Sequence, residues 1–167
     1  MPDTEPFAIR FLEALATYLS TEVQEGSEYF NTIGPGAVFI GRPEFDDNDP
    51  STMLSILEVP IPDPQMRTPE WAPVTAGPWE IFIQGFTRQD PDRSATFRLK
   101  PAYRLQNDIR VALLKLKPAR GAAGREPVLG FPEVDGLDLQ RGVVRPHEQY
   151  SDLCYFWTPL TIHLVNA

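Results

Sequence analysis

Leu99-Lys-Pro-Ala-Tyr-Arg-Leu-Gln-Asn-Asp-Ile-Arg-Val-Ala-Leu-Leu-Lys-Leu-Lys117 is the stretch whose periodicity decides the fold. Ala102, Leu105, Ile109, Ala112, Leu113 and Leu116 recur at three- and four-residue steps, while Arg104, Asn107, Asp108, Arg110 and Lys115 take the other faces, the pattern of an amphipathic helix. Pro101 suits a first helical turn, where the N–H it lacks would have no partner. Pro118 cannot extend the ladder, so the segment carries its own start and stop signals. An apolar stripe of this kind needs a surface to cover. The preceding segment, Trp79-Glu-Ile-Phe-Ile-Gln-Gly-Phe86, is aromatic and β-branched and sets Trp79, Ile81 and Ile83 on one side of an extended chain. It is the strand the helix is expected to cover.

Outward from this pair, residues 5–23 repeat the helical pattern, with Phe7, Phe11, Leu12, Leu15, Leu19 and Val23 on one stripe, Asp3 or Thr4 placed to cap it and Pro6 in its first turn. The apolar runs Ala37–Ile40 and Met53–Val59 read as strands on either side of a loop holding Glu44, Asp46, Asp47 and Asp49. Residues 60–78 contain six prolines and no periodicity, a long loop expected to project as an arm or rim. Residues 118–132, rich in glycine and alanine, form a second long loop. Two strands close the chain, at about Asp138–Arg145 and about Leu153–Val165, with Pro159 at a bend or edge position. The order α-β-β-β-α-β-β implies an α+β fold. Its form is an antiparallel or mixed sheet of about five strands with two main helices packed on it, as one domain over residues 1–167.

Composition narrows the function classes. A chain of 167 residues buries a sizeable core without staples, and its single cysteine offers no disulfide framework and fits a reducing compartment. The first residues are acidic, and no apolar run approaches the roughly 18 to 20 residues that cross a bilayer, so neither a signal peptide nor a membrane partner is expected. The net charge of −8 argues against a surface that grips nucleic acid throughout. That charge is unevenly spread. Residues 1–87 carry 3 basic and 14 acidic side chains, residues 88–125 carry 10 and 3, and residues 126–167 carry 2 and 6. A basic segment that meets an acidic patch of another copy explains this layout better than a nucleic-acid site, because the rest of the chain would repel a polyanion.

No constellation of residues carries chemistry. The acidic loop lacks the spacing and central glycine of a calcium-binding loop. His147, His163 and Cys154 are too few and too irregularly placed for a structural zinc site. In a continuous strand Cys154 and His163 point to opposite faces, which disfavours a cysteine–histidine pair. Gly34-Pro-Gly36 and Gly121-Ala-Ala-Gly124 lack the residues of a phosphate cradle and read as turns. No catalytic residue, cofactor or metal is therefore expected. The candidate contacts are those between copies, with Arg104 and Arg110 from the basic helix facing Glu44, Asp46, Asp47 or Asp49 of a neighbour.

Taken in order, Val38-Phe-Ile-Gly-Arg-Pro-Glu-Phe45, Ser55-Ile-Leu-Glu58, Trp79-Glu-Ile-Phe-Ile-Gln-Gly85, Pro101-Ala-Tyr-Arg-Leu-Gln-Asn-Asp-Ile109 and Phe156-Trp-Thr-Pro-Leu-Thr-Ile162 resemble the tail terminator, or tail-completion, proteins of long-tailed bacteriophages. The resemblance implies a small α+β subunit that assembles in the host cytoplasm as a homohexameric ring on the head-proximal end of the virion tail. Such a ring caps the tail tube protein, stops tube polymerisation and presents a docking surface to the head–tail connector protein. Genome DNA passes through it without sequence-specific binding. The family's work is done by surfaces, so it supplies no catalytic residue to carry over. The alternative within the same particle is another neck or connector ring subunit.

Overall fold

The computed structural model describes residues 5–46, 48–58, 77–116, 126–146 and 152–165. Helix α1 spans Phe7–Glu22, and strands β1 (Val38–Ile40), β2 (Met53–Glu58) and β3 (Gly77–Arg88) follow. Helix α2 spans Lys100–Leu116, and β4 (Val134–Leu139), β5 (Val143–Pro146) and β6 (Leu153–Leu164) complete the chain. The fold is α+β, as the sequence implies. Its sheet is mixed: the order is β1-β2-β3-β6-β4, with β5 also paired to β6. Among the described residues only β1 and β2 pair in parallel, and the loop between them has twelve residues, about the minimum for a parallel return.

β3 and β6 form the spine of the sheet, paired without interruption from Gly77↔Leu164 to Arg88↔Leu153. Their alternation sends Trp79, Ile81, Ile83 and, from β6, Phe156, Leu160 and Ile162 to one face, where both helices lie. Phe7 and Phe11 of α1 pack on Trp79. From α2, Gln106 donates to Thr158 Oγ1 at 3.4 Å on the same face. Phe156 crosses directly over Gly85, where a Cβ would come within 2.2 Å of its ring, so only glycine fits beneath the aromatic side chain. Across the two helices the Tyr18 hydroxyl donates to the Ala112 carbonyl at 2.8 Å.

Several expectations are corrected. The single strand expected at about Asp138–Arg145 is two strands, β4 and β5, lying end to end along β6, so the sheet has six strands among the described residues. Between them residues 140–142 stand opposite only Thr158 and Pro159. Pro159 is neither at a bend nor on an edge. It sits in the interior strand, its carbonyl accepting from Gln140 N–H at 3.0 Å, so its ring nitrogen points toward the same interruption, where a missing donor costs no ladder bond. α1 starts directly after Pro6 with no side-chain cap; Asp3 and Thr4 lie outside the described residues, as do residues 59–76 and 117–125 of the two long loops. Residues 126–132 form a tight turn whose Phe131 packs edge-on against Phe7 and Phe11.

Candidate interaction surfaces

The polar side of α2 divides into four settings. Asp108, expected on a polar face, is fully buried. Its carboxylate accepts from the backbone N–H of Phe30 and Asn31 and from Asn31 Nδ2, at 2.8 to 3.1 Å, and so fixes the loop after α1. Spacing held the signal, because Asp108 lies three residues from Leu105 and four from Ala112, inside the apolar stripe. The pinned loop presents Phe30, 55% exposed, and the Arg104 guanidinium lies over its ring at 5.2 Å. Arg104 is thus exposed but already engaged with an aromatic face.

At the far end of α2, Lys115 bridges Glu22 of α1, at 2.6 Å, and Glu28 of the loop, and its ammonium lies over the Tyr29 ring at 5.0 Å. Hydrogen bonds to both carboxylates push the Lys115 pKa well above its usual value, while the bond from Lys115 holds that of Glu22 down. Tyr18 beside them is pushed up to about 12, chiefly by burial and then by the Glu22 charge.

Arg110 is different. It is exposed and, among the described residues, has no hydrogen-bond, ion-pair or aromatic partner. It lines a groove of about 680 Å³ between α2 and the interruption separating β4 from β5. Arg141, at that interruption, lines the same groove and is likewise exposed and unpartnered among the described residues. Nothing in the sequence marks Arg141, because its place depends on the register of β4 and β5 against β6. Gly142 beside it passes so close to the sheet that a Cβ would lie 2.1 Å from the Trp157 carbonyl oxygen and 2.5 Å from Gln106 Nε2.

The acidic loop is organised from within. Asp49, with only 8% of its side chain exposed, pairs with Arg42 at 2.6 Å and accepts the Asp46 N–H at 2.8 Å. Arg42 also lies over Phe39 at 4.7 Å. Phe45 stacks on Phe86 at 5.3 Å with nearly parallel rings, tying the loop to the face of the sheet that is helix-free among the described residues. Asp49 is therefore committed to Arg42, whereas Glu44 and Asp46 are exposed, Asp46 also accepting the Asn48 N–H at 2.7 Å. Asp47 lies outside the described residues.

On that helix-free face Phe82 stacks on Trp157, and Tyr155 joins Trp157 and Phe86. Trp157 is 40% exposed. Cys154 and His163 do fall on opposite faces of the uninterrupted β6. Cys154 is buried, with Sγ 3.5 Å from the Thr87 carbonyl, and burial pushes its thiol up to about 11. His163 lies 2.6 Å from Asp138, and His147 lies outside the described residues. Among the described residues no three His, Cys, Asp or Glu side chains gather as a cation site requires, and no helix is long and apolar enough to cross a membrane. No protein-family model matches the chain, and no curated protein matches it.

Proposed function

We propose that this chain is a structural tail terminator of a long-tailed bacteriophage. Its working form is a homomeric ring, of six copies as the resemblance implies, that caps the tail tube, halts its polymerisation and receives the head connector. The observation that supports the reading is where the five resembling stretches lie. They fall on β1 with its following loop, β2, β3, α2 and β6, so segments far apart in sequence form one contiguous body of four neighbouring strands and the helix above them. In this reading the chain works in the virion through its surfaces, with no catalytic residue, cofactor or metal, and genome DNA passes through the ring without being read.

A ring needs a contact between two different surfaces of identical chains whose rotation closes. Of the candidates for it, Arg110 on one side and Glu44 and Asp46 on the other are free of ion pairs among the described residues, whereas Arg104 already lies over Phe30, Asp49 is paired with Arg42 and Asp47 lies outside the described residues. Electron microscopy of particles assembled without the protein tests the assignment. Tubes of uncontrolled length without heads are expected for a missing terminator. Tails of normal length beside unjoined heads would instead indicate another neck subunit, and normal particles would overturn both.

A further inference from the structure

The groove between α2 and the β4–β5 interruption holds two cations that the fold itself does not use. Arg10, Arg42, Arg98, Arg104 and Lys115 are each engaged by an aromatic ring, a carboxylate or a carbonyl of the same chain. Arg110 and Arg141 are not, and no acidic side chain among the described residues lines the groove with them. Two like charges in one concavity with low-dielectric walls focus a positive potential there. Tyr103, Gln106, Asn107 and Gln140 add polar groups to the lining. At the rim by Gly142 no side chain fits between the backbone and the sheet.

We propose that this groove is the receiving half of a contact between copies, and that the loop carrying Glu44 and Asp46 of a second copy enters it. Charge complementarity selects the occupant, because Glu44 and Asp46 are the described acids of that loop left exposed once Asp49 is taken by Arg42. The loop is already shaped by the Asp49 hydrogen bonds and by Phe45 on Phe86, so little conformational freedom is lost when it docks. Position fits as well. The loop joins β1 and β2 at one side of the sheet and the groove borders β4 and β5 at the other, about 19 Å away at four strand spacings. One copy can therefore give its loop to one neighbour and receive a loop from another, the head-to-tail arrangement from which rings close. The contact rests on the ring reading above and names its two halves.

Light scattering and sedimentation of the full chain test it. The groove variant Arg110→Glu with Arg141→Glu and the loop variant Glu44→Lys with Asp46→Lys should each lose the high-mass species while keeping the wild-type circular dichroism spectrum. Mixed in equal amounts they should regain it, because an acidic groove then meets a basic loop. The milder Arg110→Gln with Arg141→Gln, a safeguard against misfolding, should weaken association at least tenfold, and rising salt should weaken the wild type in the same sense. The control Arg88→Glu with Arg93→Glu changes the net charge equally and should leave association intact. Variants that keep the wild-type mass, a mixture that stays dissociated, or a control that dissociates too would each overturn the contact while leaving the ring standing. A wild-type chain that remains monomeric at every concentration would overturn both.

Discussion

The two faces of the sheet are built from the same strands and serve opposite ends. Toward the helices, Leu54, Ile56, Ile81, Ile83, Phe156, Leu160 and Ile162 are buried to 1% exposure or less. On the other face Phe82 stacks on Trp157 and Tyr155 meets Trp157 edge-on, all three partly open to solvent, and among the described residues no helix covers them. The faces also differ in composition, because Glu80, Gln84, Arg88, Asp138 and His163 fall on the open one, so residue type and burial separate them together. One face holds the fold together, and the other presents a partly open aromatic group beside the Phe45–Phe86 stack. The same division runs around α2, where Leu105, Ile109 and Leu113 are buried, Asp108 and Lys115 are tied to their own chain, and Arg110 is left outward.

The largest effect should come from the covered face. Leu113→Ala should cost about 2 to 5 kcal/mol in a denaturant melt, the usual penalty for emptying a core site. A cost equal to that of an exposed substitution would break the contrast between the faces. Next, Asp108→Ala leaves the part-buried N–H groups of Phe30 and Asn31 without their acceptor, at about 1 to 3 kcal/mol in all. Faster amide exchange at Phe30 and Asn31 should accompany that loss. Trp157→Ala on the open face should lose its stacking on Phe82, about 0.5 to 1.5 kcal/mol beyond the apolar area the ring covers. Arg110→Ala, with no partner to lose among the described residues, should stay within about 0.5 kcal/mol in the isolated chain.

The gentlest perturbation is titration. Tyr18 has its pKa raised from 10.0 to about 12, so the unfolded chain loses this proton first. Its contribution is complete below pH 10 and is lost as pH rises toward 12. The raised pKa of Lys115 acts in the same direction. The lowered pKa of Glu22 contributes above its ordinary 4.5 and is lost as pH falls through its folded value. Tyr18→Phe should flatten the alkaline limb of a stability-versus-pH curve and leave the acid limb unchanged; an unaltered alkaline limb would remove Tyr18 from this account.

The sequence by itself made legible both helices, the strands β1, β2, β3 and β6, and the side of β3 that is buried, because each follows from a period of 3.6 or 2 or from a short apolar run along the chain. It also set the partition of charge. Tertiary structure decided the rest. Whether Asp108 faces water or the core depends on Phe30 and Asn31, nearly eighty residues earlier, coming back to meet it. Whether Asp49 is an interaction residue or an internal one depends on Arg42 reaching it. The break between β4 and β5, and with it the placing of Arg141 beside Arg110, arises where three residues face two across Pro159. Local patterns record which residues seek burial. They do not record the long-range register that brings a particular acid or base to its partner, because that register is fixed only when the whole sheet assembles.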